Sequence, residues 1–194
     1  MNAMKKSVLS LALLFASITC VAQDHLLFKG IPIAGSMTGF CQKLSDKGFV
    51  KLDGEGNTTL FMGDFTGREA TVGVTSDDDG KNVRSVVVSF ESSKEWNVLV
   101  DTYNYYKKLY VRKYGQPKES VEINRQVESG RSNAGLMAEL HLGRVTWSSL
   151  WEVAGGEIEM SIEKASGFYK GLVVLRYRDA QNEEARILKH LEEI

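Results

Sequence analysis

The residues that could hold a metal ion or act on a substrate are few in this chain of 194 residues, and they are scattered. Its three histidines, His25, His141 and His190, lie far apart, and none belongs to a His-x-x-x-His or Glu-x-x-His pattern. Zinc sites on helices depend on such spacings, because they bring two ligands onto one face. The sequence therefore predicts no metal site, no cofactor and no catalytic residues.

Cys41 could be proposed as a nucleophile. It shares a stripe with Met37, Phe40 and Leu44 at positions i, i+3, i+4 and i+7, which is the spacing of one apolar helical face. A buried thiol on such a face is usually inert. We therefore interpret Cys41 as a core residue.

Two acidic stretches carry the oxygen ligands that calcium prefers, "DGEGN" at 53–57 and "SDDDG" at 76–80. Neither fits the twelve-residue calcium loop, which needs a glycine at its sixth position and a glutamate at its twelfth. Glycine, aspartate and asparagine are also the commonest turn residues. We interpret both stretches as turns.

Three carboxylates, Glu157, Glu159 and Glu163, alternate with apolar residues. Glycoside hydrolysis uses two carboxyl groups about 5 to 10 Å apart, and neighbours on one strand face can be that close. An extracytoplasmic hydrolase that uses paired carboxylates such as Glu157 and Glu159 is therefore the alternative function. The alternation is also typical of a strand with one face in water, which is the interpretation we favour.

The aromatic residues can be interpreted either as core residues or as a binding surface. Trp147 and Trp151 share one strand face, and several aromatic residues line a long predicted helix, so we expect the two groups to pack together in the core. Tyr105 and Tyr114 fall beside that helical stripe. If aromatic residues form a contact surface for protein or carbohydrate, the candidates for binding are Trp147, Trp151, Tyr105 and Tyr114.

The N-terminus has the pattern of a secretory signal peptide. Lys5 and Lys6 precede an apolar run from Val8 to Ile18, and the small residues of "TCVAQD" follow. The run is shorter than the roughly 20 residues that span a bilayer. We predict a signal peptide at 1–22, cleavage near Ala22 or Gln23, and export to the periplasm or outer surface. Alternatively Cys20 carries a lipid, and only then is a membrane a partner.

Composition limits the classes of partner that this chain is expected to bind. Loss of the two signal-peptide lysines from 24 basic residues leaves 22 against 25 acidic residues, so the formal charge moves from −1 to −3. Nucleic-acid binding needs clustered Lys and Arg, and the sequence shows no such cluster. After cleavage Cys41 would be the only cysteine, which excludes an internal disulfide. Residues 23–194 are expected to form one domain.

Hydrophobic periodicity predicts runs of strands between helices. Ser36 should cap a first helix that ends at Gly48, and Ser92 with Glu95 should form a capping box for the long helix. Residues 124–142 fit either a loop with a short helix or a hairpin. The predicted strands are 58–65, 68–76, 82–90, 119–127, 145–153, 157–163 and 171–179, and the later helices are 93–114 and 181–192.

This order predicts an α+β fold, an antiparallel sheet with helices packed on one face. Helix and three-strand meander occur twice, which predicts duplicated halves at about 26–91 and 92–194, although the residues themselves show no repeat. The stretch "FKGIPIAG", followed by Phe40, Leu44 and "KGF" at 47–49, resembles the opening of exported Bacteroidetes proteins of unknown function. The order of elements is similar to the β-lactamase-inhibitor-protein-like fold. Neither resemblance implies an activity.

The sequence thus favours an exported, non-enzymatic binding or interaction domain. Its expected partner is a protein or a glycan.

Overall fold

A single large sheet organises the protein. The computed structural model describes residues 25–124 and 132–194, and it contains an eight-stranded antiparallel sheet in the order β3-β4-β5-β6-β10-β9-β8-β7. A separate hairpin pairs β1 with β2. The strands are β1 Leu27–Phe28, β2 Ile31–Pro32, β3 Val50–Lys51, β4 Thr58–Asp64, β5 Glu69–Ser76, β6 Val83–Phe90, β7 Glu119–Asn124, β8 Val145–Val153, β9 Gly156–Lys164 and β10 Gly171–Asp179.

The described residues form four helices, α1 Met37–Asp46, α2 Trp96–Tyr114, α3 Asn133–His141 and α4 Ala180–Leu191. The buried apolar residues of α1, α2 and α3 join one core cluster with one face of the sheet. The predicted α+β class, with helices packed on one face of an antiparallel sheet, is confirmed.

Two meanders meet at the centre of the sheet. Strands β4, β5 and β6 form the first, β8, β9 and β10 form the second, and their last strands β6 and β10 pair antiparallel. The predicted "TG" turn joins β4 to β5 with both Thr66 and Gly67 at positive φ, which is the conformation of a type I′ hairpin. The order of strands follows the two predicted halves, and their duplication stays a prediction.

The opening stretch, 26–33, forms a short hairpin. Lys29 and Gly30 both take positive φ, 48° and 78°, so the chain reverses and β1 pairs with β2. The helix signals that follow are confirmed. The Ser36 hydroxyl accepts a hydrogen bond from the Gly39 amide at 3.2 Å, and Gly48 after α1 has a φ of 89°.

The predicted capping box of α2 is wrong. The helix begins at Trp96, three residues later than expected, and its N-cap Glu95 makes no side-chain capping bond. The Ser93 hydroxyl instead accepts a bond from the Glu95 amide at 3.0 Å. Ser93 also pairs with Gly171 at the start of β10. The sheet therefore holds this segment extended where local sequence favoured a helix.

The last helix docks through polar groups. The fully buried Asp179 accepts hydrogen bonds from the Asn182 amide and the Leu26 amide, and it contacts the His25 ring at 3.0 Å. The Asn182 side chain donates to the carbonyl of Ile33 at 2.7 Å. The apolar side of α4 contributes no buried residue, and Leu188 is 53% exposed.

Some predictions fall outside the described part of the chain. The signal peptide, its cleavage site and Cys20 lie there, as do residues 125–131. The later part of the uncertain 124–142 segment is a helix, α3, whose cap is Ser132. Among the described residues, no helix has the length and apolar character needed to cross a membrane.

Candidate functional site

The face of the sheet that the helices leave uncovered is the candidate site, and we call it the open face. Cross-strand pairing arranges its side chains in three rows that run across the sheet. One row is Thr58, Thr75, Ser85, Arg178, Glu157 and Glu152; the next is Leu60, Gly73, Val87, Arg176, Glu159, Leu150 and Glu119; the third is Met62, Thr71, Ser89, Val174, Ser161, Ser148 and Val121.

These rows divide the open face into two chemical halves. Over β4, β5 and β6 it is made of hydroxyl residues, aliphatic residues and one glycine. Over β8, β9 and β10 it carries glutamates and arginines. Most of these side chains are half-exposed. A surface of this composition can form hydrogen bonds and ion pairs with a partner.

Ion pairs order the charged half. The Arg176 guanidinium donates two hydrogen bonds to Glu163, one of them at 2.7 Å to Oε2, and Arg178 donates to Glu159 at 2.5 Å. Burial alone would raise the pKa of Glu163, but hydrogen bonds from Arg176 and Ser161 outweigh it and hold the pKa below its usual value. Glu163 is therefore held as an anion.

The alternative of a carboxylate hydrolase can be compared with this geometry. A shallow pocket of about 260 Å³ on the open face is lined by Glu119, Glu157, Glu159 and Arg178 among others. Within this pocket Glu159 is paired with Arg178. A general acid in glycoside hydrolysis is a carboxyl group that retains its proton. The pocket gathers carboxylates next to an arginine, and the hydrolase stays an alternative prediction.

A larger groove lies where the open face ends, and we call it the edge groove. It has a volume of about 850 Å³ and lies between the ends of β5 and β6 and the first turns of α2. Its charged residues are Arg68, Glu69 and Glu91. Thr71 and Ser89 line both the groove and the open face, so the two surfaces are continuous.

Tyr105 is the one aromatic candidate that stands beside this groove. The Arg68 guanidinium lies 5.2 Å from the centre of the Tyr105 ring, and it donates to the Thr102 hydroxyl at 3.3 Å. Tyr105 is 41% exposed. The stacked Arg68 and Tyr105 side chains therefore present a cation and an aromatic ring next to the open face.

The other three aromatic candidates lie on the helix side of the sheet. Trp151 is 1% exposed and its indole N–H donates to the Gly115 carbonyl at 3.0 Å. Trp147 is half-buried against Trp96, with ring centres 5.4 Å apart. Tyr114 is half-buried beside Tyr110. Trp151 is thus a core residue, as packing of the long helix on this strand face predicted.

A chain of polar side chains, which sequence reasoning missed, links the core to the outer strand β7. The Tyr103 hydroxyl bonds Ser149 at 2.6 Å, Ser149 bonds Ser120 at 3.1 Å, and the Lys107 ammonium donates to Ser120 at 2.8 Å. A serine beside a lysine resembles a nucleophile and its base. The same lysine, however, also forms an ion pair with Glu122 at 2.5 Å. These hydrogen bonds connect β7 to α2.

The histidines and the thiol form no shared site. His25 contacts Asp179, and the His141 Nε2 lies 2.8 Å from the Lys170 carbonyl at the opposite end of β10. Cys41 is half-buried against the core, and burial raises the pKa of its thiol. A cleft of about 320 Å³ gathers His25 with Asp77, yet the described residues contain no cluster of three potential metal ligands.

The chain was compared with known proteins in three ways. No protein-family model, curated protein or solved structure gave a significant match. The function is therefore argued from the geometry of the open face.

Proposed function

We propose that this chain is an interaction domain that holds a protein partner on the open face, with the edge groove as the border of the contact. The observation that carries the proposal is that α1, α2 and α3 bury their apolar residues on one side of an eight-stranded sheet. The other side is left without helix cover, and it carries charged, hydroxyl and scattered aliphatic side chains.

The size of the open face fits a protein better than a small molecule. The six long strands, β4–β6 and β8–β10, have seven to nine residues and are roughly 23 to 30 Å long, and at about 4.8 Å apart they span about 24 Å. The resulting area of about 650 Å², before the short strands β3 and β7 are added, approaches the roughly 800 Å² that each partner contributes to a standard interface. The pocket on the charged half is small by comparison.

The chemistry also fits a protein contact. The charged half offers paired arginines and glutamates that could exchange partners with a complementary surface. The half over β4, β5 and β6 offers small side chains that allow close approach. Glycan recognition favours exposed aromatic rings, and Tyr105 is the only one of the four candidate aromatics that is exposed.

The proposal is tested by placing a bulky charge where the open face meets the edge groove. Thr71 points away from the core and lines the edge groove, so Thr71→Arg should leave the fold intact and block a docked partner. The matched control is Leu188→Arg, a change of similar size at an exposed position on α4. Both variants are first checked for unchanged thermal unfolding.

Crosslinking in the envelope of the organism of origin then compares the three proteins. A partner captured by the native chain and by Leu188→Arg, but lost from Thr71→Arg, is the expected result. Equal capture by all three proteins would place the contact elsewhere. Glycan binding by the native chain that Thr71→Arg removes, with no protein captured, would replace the protein partner by a carbohydrate.

A further inference from the structure

A second surface, unrelated to the open face, lies at the turn between β9 and β10. We call residues 165–170 the hairpin tip. Phe168 is 79% exposed and Tyr169 is 42% exposed at this turn, and Leu142 at the end of α3 is 60% exposed. The His141 ring, next to Leu142 in the chain, packs against the Tyr169 ring with centres 5.4 Å apart. Two large aromatic side chains, Phe168 and Tyr169, therefore stand together in water at the tip.

The backbone of the hairpin tip is held in an unusual conformation. Tyr169 has a φ of 48°, in the left-handed region that residues other than glycine rarely occupy. The His141 ring contacts the Lys170 carbonyl at 2.8 Å, and the Ala165 amide donates to the same carbonyl at 2.8 Å. Phe168 and Tyr169 pack edge to face, 4.3 Å apart. The turn thus holds both aromatic rings in a defined position at the end of the hairpin.

The charge around the tip is positive. The stretch "KASGFYK" at 164–170 has a lysine at each end and no acidic residue. Neither lysine takes part in the ion pairs found among the described residues. Glu163, the nearest acid in sequence, is bound to Arg176 on the open face. Lys94 and Glu95, near the Ser93 bridge to Gly171, have opposite charges that offset each other.

From these contacts we infer that the hairpin tip inserts into an anionic lipid surface, with Phe168 and Tyr169 at the level of the headgroups and Lys164 and Lys170 beside the phosphates. Aromatic side chains favour the membrane interface, and basic residues near it are attracted by anionic lipids. Two adjacent exposed aromatic rings between two lysines therefore match an anionic bilayer surface.

This contact would set the orientation of the protein. The tip lies at one end of β10, and Asp179, where the His25 side chain binds, lies at the other end, about 26 Å away. The strands would stand upright on the lipid, so the open face would look sideways and stay accessible. The contact also needs no lipid attached to the N-terminal segment, which enters the fold at the far end.

The test is flotation of the chain that starts at Gln23 with lipid vesicles. That chain retains the entire core cluster, which extends from Leu26 to Tyr177, and it lacks the apolar run at 8–18 that would itself bind lipid. One set of vesicles contains equal amounts of phosphatidylcholine and phosphatidylglycerol, and the other contains phosphatidylcholine alone. We expect binding to the mixed vesicles, weaker binding to the neutral ones, and release by salt.

Variants distinguish lipid binding by the hairpin tip from non-specific lipid binding. Phe168→Ser should weaken binding to the mixed vesicles by about tenfold, since an exposed phenyl group loses its burial. Lys170→Glu should weaken it by at least about fivefold. The control Leu188→Ser removes an equally large apolar side chain from α4 and should bind like the native chain. Each variant is checked for native unfolding.

Two results would overturn the inference. If the native chain floats with neither set of vesicles, the tip does not bind lipid, and its exposed rings would instead serve a protein contact. If Phe168→Ser and the native chain bind equally, lipid binding resides elsewhere in the molecule. Neither result bears on the open face, because the vesicles contain no protein partner.

Discussion

The two faces of the large sheet are built from alternate residues of the same strands, and they differ in almost every property. On the helix side, one row across the sheet is Phe61, Val72, Val88, Leu175, Met160 and Ser149. One residue further along, the open face has Met62, Thr71, Ser89, Val174, Ser161 and Ser148. The first row is buried, and most of the second is half-exposed or exposed.

The difference indicates that the helix side contributes more to folding stability, and that the open face can contribute to binding. The helix side excludes water around aromatic rings, and several of its polar groups bond internally, as the hydroxyls of Tyr110 and Tyr177 do with each other. The open face leaves its ion pairs in contact with solvent. A substitution should therefore have a large effect on one face and a small effect on the other.

The largest contrast is expected within β8 itself. Trp151→Ala removes a fully buried ring from the helix side and should lower the free energy of unfolding by about 3 to 5 kcal/mol. Leu150→Ala, at the neighbouring open-face position, should lower it by less than about 1.5 kcal/mol because the side chain is half-exposed. Urea denaturation measures both. Equal losses would mean that something covers the open face.

High pH should weaken the helix side selectively. Burial raises the pKa of Tyr103 to about 12, and it raises the pKa of Tyr106, Tyr110 and Tyr177 as well. An unfolded tyrosine ionises near pH 10. The stabilisation from these neutral phenols is complete below about pH 10 and is lost as the pH rises through the raised values, by up to about 1.4 kcal/mol per pH unit for each tyrosine.

Urea denaturation at a series of alkaline pH values measures this loss, and absorbance reports the ionisation of tyrosine. Tyr103→Phe should reduce the steepness of the loss, whereas Tyr105→Phe, at an exposed position, should leave it unchanged. A flat stability profile up to pH 11 would contradict the assignment of neutral buried phenols.

The smallest effect is expected for the ion pairs of the open face. Glu159→Gln breaks its pair with Arg178, and the loss should stay below about 1 kcal/mol because both side chains are partly solvated. The effect should shrink further at high salt. Thermal unfolding at two salt concentrations measures it, with Glu184→Gln on α4 as the exposed control. A loss of several kcal/mol would show that the pair is desolvated.

Much of the fold could be predicted because period-two patterns specify which side of a strand is buried. Ile158, Met160 and Ile162 alternate with glutamates, and their burial is as expected. The start of α2 could not be predicted, since pairing of Ser93 with Gly171 overrides the local capping signal. Less of the candidate site could be predicted from the sequence. Trp151 shares a face with Trp147 in sequence, but no local pattern reveals the edge groove beside Tyr105.

The sequence by itself determined the α+β class, the strands of both meanders and, for β8 and β9, the side that packs in the core, because these follow from the spacing of apolar residues along the chain. Only the tertiary structure decided that β6 and β10 pair, that the open face is eight strands wide, and that Arg68 stacks on Tyr105. Contacts between residues distant in sequence depend on how the elements pack together. That packing also leaves the rings of Phe168 and Tyr169 exposed to water, and it buries Trp151.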